Sequence, residues 1–462
     1  MGMTKTIRKA VAAFLVLALL SISFCSCVNN TPTDSSQSFD SMISEISPSP
    51  EPEPEPIFRN AMSVSPFAES MFAIGVTYED DSGNTATDVE ELQKLFVEHG
   101  ANEIYVRIAT ARKRYSLSSS DHSLETAVSR AKLAVKLGLP LNPELGLFSV
   151  YGDVTGQPGP DFSEYPEISV SKPWHELTID EMVPILEKYG AIVAEELLST
   201  GADINVWNIG NEVNFGTAGV AVQPIPGAMT GEMGSNWYRA PDAVNPEIGM
   251  KSVYSMLTTR NSELIDWMEI NLWPYQAKLM NAVREGILTV DQDAKFSTHI
   301  TFFENTEFAT AFYNAMDENG FKVDVAGFSF YPSSTASPIN RFEALKTTVK
   351  SVRDELGLPV FIAEYAYPAY PEDHTPTGPY KDWNKKQPNY EMDIEGQEQL
   401  LRDLASWGIS NGICGIRPWA PDLVVLWTEF AVFSVNYLTA KARPVIDSIA
   451  RGIEEAGQTK SD

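Results

Sequence analysis

"INVWNIGNEVNF", residues 204–215, decides the fold. Ile204, Val206 and Ile209 make an apolar, β-branched run suited to a buried strand. The run nevertheless ends on an amide and a carboxylate, Asn211 and Glu212. A strand that is core along its body and polar at its C-terminal end fits a closed parallel barrel, where chemistry gathers at the strand ends.

Working outward, the same design recurs. Strand candidates are "FAIGVTY" (72–78), "EIYVRIA" (103–109), "LPLNPELGLFS" (139–149) and "INVWNIGNE" (204–212). They continue with "KFSTHITFF" (295–303), "DVAGFSFYP" (324–332), "LPVFIAEYAYP" (358–368) and "GICGIRPW" (412–419). Between them lie amphipathic stretches such as "DVEELQKLFVEHG", in which Leu92, Leu95 and Phe96 carry the spacing of one buried helix face. Several end in glycine (Gly100, Gly138, Gly201, Gly357), which most readily takes the left-handed helix stop. Eight strands alternating with helices predict an α/β fold, the (β/α)8 TIM barrel, with a doubly wound open sheet as competitor. The segment 213–261 is far longer than an ordinary strand-to-helix loop and bears Trp237 and Tyr238, so we expect it to form part of a binding surface.

The chain has 462 residues, of which 43% are hydrophobic, enough to bury a large core. Its formal charge of -28 repels phosphate backbones and argues against a nucleic-acid partner. Lys5, Arg8 and Lys9 precede the apolar run "AVAAFLVLALLSISF", a secretory pattern too short for a typical membrane span. The run ends in "FCSC", which resembles a bacterial lipoprotein signal with Cys27 as the lipidated residue. An ordinary cleaved signal, giving a secreted protein, is the alternative. Residues 28 to about 60 are Ser, Pro and Glu-rich, as in "SPSPEPEPEP", and cannot bury apolar area. The expected organisation is a signal peptide at 1–26, a disordered tether at 27–60 and one barrel domain at 61–458. The localisation expected is the extracellular face of a bacterial cell, with the membrane touched only through the lipid.

Arg107, Asn211, Glu212, His299, Tyr331, Glu364 and Trp419 all fall at or near strand ends. Glu212 and Glu364, from the fourth and seventh strand candidates, would face each other, and paired carboxylates are what glycosidic hydrolysis requires. One must carry a proton for the leaving oxygen; the other must be ionised to attack the anomeric carbon or activate water. Taken alone, such a glutamate could instead be a buried charge paired with arginine in the barrel mouth, which is the lesser reading. Trp207, Trp419, Trp427, Tyr331, Tyr365 and Tyr367 crowd the same segments, and flat rings suit sugar faces; Trp207, mid-strand, reads as core. The five histidines form no HxH or HExxH pattern, so no metal is expected. No cofactor is expected either, and a calcium ion propping a loop is left open. There is no GxSxG elbow and no glycine-rich phosphate loop after any strand.

On these segments the chain resembles the family-53 glycoside hydrolases, endo-β-1,4-galactanases of the clan A barrels. The likeness runs in order over about residues 72–420. "ANEIYVRI" is similar to the family's second strand, "NIGNEVN" to the fourth-strand Gly-Asn-Glu signature, "STHIT" to the fifth strand and "DVAGFSFYPSST" to the sixth. "LGLPVFIAEYAYP" is similar to the seventh strand, and "GQEQLLRDL" to the start of the following helix. The resemblance implies Glu212 as general acid/base and Glu364 as nucleophile of a retaining enzyme. It further implies Asn211 on the sugar 2-hydroxyl, Tyr331 orienting Glu364, Arg107 keeping it ionised, and His299 lining the site. Asp153 and Trp419 would contact substrate. Two departures stand out: "LFSVYGD" keeps Tyr151 and Asp153 but lacks the family's histidine, and "IRPWAPD" keeps Trp419 but lacks its glutamate. The implied partner is plant cell-wall galactan or arabinogalactan, cut by a monomer. The alternatives are another clan A endo-β-glycanase, such as a mannanase, and a non-catalytic carbohydrate-binding lipoprotein.

Overall fold

A computed structural model describes residues 57–114, 120–223, 249–334, 340–370 and 380–459. Cys27, the signal segment, nearly all of the tether, Trp237 and Tyr238 lie outside the described residues. Phe58–Asp462 form one compact unit.

Eight parallel strands run round this unit in the order of a (β/α)8 barrel. They are β1 (Arg59–Asn60), β2 (Ile104–Ile108), β3 (Leu141–Leu145), β4 (Trp207–Ile209), β5 (Phe296–Ile300), β6 (Val325–Phe330), β7 (Val360–Tyr365) and β8 (Ile413–Pro418). Each is followed by an outer helix: α1 (Val89–Glu98), α2 (Leu124–Leu137), α3 (Ile179–Leu198), α4 (Trp273–Leu288), α5 (Thr306–Glu318), α6 (Arg341–Leu356), α7 (Ile394–Asn411) and α8 (Ser448–Thr459). The sequence placed seven of the eight strands within a few residues of their true bounds.

The first strand is the exception. "FAIGVTY" alternates like a strand, but Ala68–Ala73 is helical and only Thr77–Glu79 is extended. That short strand joins an outer four-stranded sheet with 85–86, 433–436 and 439–442. There Tyr78 packs edge-on against Phe72 and Phe433, and its hydroxyl donates to the Asp422 carbonyl at 2.7 Å. The true β1 is Arg59–Asn60, which the sequence reading assigned to the tether. It pairs with β8 through Arg59 and Gly415. Two residues offer no periodicity to read, so local pattern could not reveal them.

The seam between β1 and β2 is closed largely by two side chains: Asn102 Oδ1 accepts the Asn60 amide at 2.9 Å and its Nδ2 donates to the Phe58 carbonyl at 2.9 Å, and Ser63 completes the join. The Asn102 amide donates to the Asn60 carbonyl at 3.0 Å. Beside it, the Ser63 hydroxyl accepts from the Tyr105 amide at 3.0 Å and donates to the Glu103 carbonyl at 3.3 Å. A serine thus occupies a place that a longer strand would fill with backbone.

Helix starts follow the sequence closely. Asp88, Ser123, Asn305, Asn340 and Asp393 each accept a backbone amide of the first turn of their helix, and Thr178 with Glu181 forms a capping box. Such caps contribute about 1 kcal/mol apiece. Gly138 and Gly357 take the left-handed stop expected of them. Apolar residues of the strands and inner helix faces form one large core, with Ala61, Phe361 and Ala363 as a small separate cluster. The strand interior is instead polar toward its C-terminal end, and this is where the site lies.

Candidate active site

Strand register builds the floor of the site. Arg107 on β2 pairs in register with Glu144 on β3, and Glu144 with Asn208 on β4. These three inward-pointing residues therefore meet at one level of the barrel. Arg107 Nε donates to Glu144 Oε1, while Arg417 on β8 donates to Oε2 at 2.6 Å and Asn208 Nδ2 to the same oxygen at 3.2 Å. Both arginines and Glu144 are buried. Burial alone would raise Glu144, but Arg107 and Arg417 outweigh it and hold the carboxyl down at about 2. The Arg417 guanidinium also stacks on the Tyr105 ring, 3.5 Å from its centroid.

Above this floor, Arg107 Nη2 reaches both Asn211 Oδ1, at 2.7 Å, and Glu364 Oε1. The Tyr331 hydroxyl donates to the other Glu364 oxygen. Asn211 is fixed from three sides: its Oδ1 also meets His299 Nε2 at 2.9 Å, and its Nδ2 donates to the Gly152 carbonyl at 2.7 Å. Asn208 Nδ2 lies 3.2 Å from His299 Nδ1. With its proton on Nε2, His299 donates to Asn211 and accepts from Asn208 at Nδ1; with the proton on Nδ1, Nε2 instead accepts the Glu212 amide, 3.3 Å away. Burial keeps His299 neutral, with its pKa pushed down to about 3.

The turn after β4 delivers Glu212. Gly210 has φ 87°, and a Cβ there would come within 2.4 Å of Val213 Cγ1, so the chain can bend only with glycine. Glu212 itself holds φ 47°, a left-handed conformation costly for a glutamate and typical of residues aimed at a site. Its Oε2 accepts the Val154 amide at 3.2 Å, and no lysine or arginine pairs with it among the described residues. Burial first, then the negative charges of Glu364 and Asp153, raise its pKa to about 8. Burial raises Glu364 as well, and Arg107 and the Tyr331 hydroxyl offset part of that rise. When the pair holds one proton, Glu212 keeps it.

Glu212 and Glu364 border one cavity of about 510 Å³, with Asp153, Tyr331 and Trp419 also in its wall. Trp419 meets Trp427 edge-on at 4.8 Å. Tyr331 packs against Trp383 at 5.0 Å, and Tyr380 against Trp427 at 4.5 Å. Asp153 is partly buried, and desolvation raises its pKa; its Oδ1 accepts the Thr155 amide and hydroxyl at 2.8 and 2.6 Å. Among the described residues, no group of three or more His, Cys, Asp or Glu side chains is arranged to hold a metal ion.

The structure therefore brings together all eight residues singled out in the barrel, in two layers. Glu212, Glu364, Tyr331, Trp419 and Asp153 face the cavity, whereas Arg107, Asn211 and His299 stand behind it. His299 does not line the site as expected: it is 0% exposed and acts on Asn211. Trp207 is core as read, but Tyr365 and Tyr367 are also packed away from the cavity wall. Sequence reasoning passed over Glu144, Arg417, Tyr380, Trp383 and Tyr254. Glu144 and Arg417 carried a usable signal, a charge inside an otherwise apolar strand, but their partners lie on other strands.

Comparison with known proteins agrees with this geometry. Residues 60–437 match the model of Glycosyl hydrolase family 53. Solved structures of similar fold include the Ignisphaera aggregans GH53 catalytic domain, 18% identical with a TM-score of 0.61, covering 86% of this chain and 97% of that one. Another is a structure reported for two fungal β-1,4-galactanases, 17% identical with a TM-score of 0.60, covering 85% of this chain and 99% of that one. A curated relative, an uncharacterized protein in the bgaB 5' region of Niallia circulans, is 25% identical over 175 residues, covering 36% of this chain. The chain spans 45% of that relative's length, under half of it.

Proposed function

The chain belongs to glycosyl hydrolase family 53, and from that premise we propose that it is a retaining endo-β-1,4-galactanase. What carries the reading is the opposed surroundings of two carboxyls on one cavity. Glu364 is held by a guanidinium and a phenol, and Glu212 has no cation to claim among the described residues. In the first step a Glu364 oxygen bonds to the anomeric carbon while the glycosidic C–O bond breaks, and the Glu212 proton goes to the departing oxygen. In the second, water gives a proton to the Glu212 carboxylate and attacks the same carbon, and the bond to Glu364 breaks. Asn211, locked by Arg107 and His299, would present its remaining amide hydrogen to the sugar 2-hydroxyl.

A second reading within the same chemistry keeps the pair and changes the sugar. It is favoured by the two departures from the family pattern, the missing histidine after β3 and the missing glutamate after β8. A panel of galactan, arabinogalactan and mannan, with product analysis for wild type and Glu364→Gln, separates the readings. Galactan cleavage by wild type alone supports the first. Mannan cleavage moves the specificity, and galactan binding without hydrolysis of any glycan points to a binding protein. We further propose attachment of the protein to the bacterial surface through a lipid on Cys27. Loss of detergent-phase partitioning in Cys27→Ala tests it.

A further inference from the structure

The cavity has a wall that the two-glutamate reaction leaves without a role. Tyr254 sits on the helix Met250–Thr259, which belongs to the long connection between β4 and α4 and not to the eightfold repeat. Its ring meets Phe302 edge-on, with centroids 6.0 Å apart at 79°, and Phe302 meets Phe215 at 5.7 Å. Phe302 follows β5 with φ 60°, a left-handed backbone that a bulky residue seldom adopts and that sets its ring where Tyr254 can rest on it. Tyr254 and Phe302 both border the cavity. The Tyr254 hydroxyl has no hydrogen-bond partner among the described residues, and the charges acting on it are those of Asp153 and Glu212.

We infer that Tyr254 is a specificity-determining contact for the sugar on the leaving-group side of the cleaved bond. The inference rests on Glu212 being the acid. Its proton goes to the oxygen of the departing sugar, so the wall beside Glu212 is the wall that this sugar touches. A half-buried ring with an open hydroxyl matches a pyranose, which offers a C–H face and rim hydroxyls. The same place then receives the acceptor when the glycosyl-enzyme is resolved, and a sugar bound there competes with water.

Tyr254→Phe and Tyr254→Ala test this with two substrates: galactan, and a dinitrophenyl β-galactobioside whose leaving group carries no sugar. The expected result for Tyr254→Ala is a kcat/KM on galactan that falls about tenfold more than kcat/KM on the aryl glycoside, with Tyr254→Phe intermediate. Partition of the glycosyl-enzyme to added galacto-oligosaccharide, relative to water, falls in the same order. Equal losses on both substrates, or no loss on either, would overturn the inference while leaving the two-glutamate reaction intact. A wild type inert on both substrates would instead remove that reaction, and this inference with it.

Discussion

Arg107 and Glu144 face each other in register across β2 and β3, the guanidinium Nε donating to one carboxylate oxygen while Arg417 holds the other. With Glu364 on the outer nitrogen of Arg107, two buried guanidinia are matched by two carboxylates. A third buried carboxyl in the mouth, Glu212, finds no positive partner among the described residues. Its proton follows from charge balance as much as from burial.

Glu144→Gln leaves Arg107 and Arg417 buried beside a neutral amide. Removing one partner of a buried ion pair costs about 3–5 kcal/mol. Thermal or urea denaturation should show a loss of that order, and a loss under about 1 kcal/mol would mean that water screens the cluster.

Glu364→Gly should lose several orders of magnitude in kcat on an activated aryl glycoside and recover part of it with azide, giving a glycosyl azide. Glu212→Gln should lose most on substrates with poor leaving groups, which need the proton. Near-wild-type hydrolysis by either variant contradicts the assignment of roles.

With the Glu212 pKa raised to about 8, activity that requires its proton declines as pH rises past that value. Asp153 contributes to the raise. Asp153→Asn removes that negative charge, so the alkaline limb of kcat/KM should move to lower pH. A limb that stays in place shows that the Asp153 charge does not reach Glu212.

The same carboxyl makes stability depend on pH. The folded chain holds this proton up to about pH 8, while a glutamate ordinarily releases it near 4.5, so the folded state binds more protons across that window. Folding free energy contributed by Glu212 therefore falls as pH rises from 4.5 to 8, by at most about 1.4 kcal/mol per unit. Glu212→Gln should flatten the decline and raise Tm at pH 8 relative to wild type. Parallel Tm profiles for the two proteins would contradict it.

Most of the barrel was legible because each strand from β2 to β8 is long enough to show an apolar body and a polar end. Glu212 and Glu364 were legible for the same reason, since both stand where a strand gives out. What could not be read was whatever depends on a neighbour remote in sequence. Glu144 matters only because Arg107 and Arg417 flank it, and His299 braces Asn211 from a strand 88 residues further along the chain. Arg59–Asn60 escaped notice because a two-residue strand, recognisable only by its pairing with β8, has no pattern of its own.

That short strand makes the barrel resemble a cask with one narrow stave. Between β1 and β2 the join depends on the side chains of Asn102 and Ser63, whereas β3 to β8 are held to one another by backbone ladders. Gaping under heat or denaturant would begin at that stave, and the amides of Asn60 and Tyr105, which are bonded to side chains across it, would be the first of the sheet to exchange with solvent. The arc bearing Glu212 and Glu364 is the part that would open last.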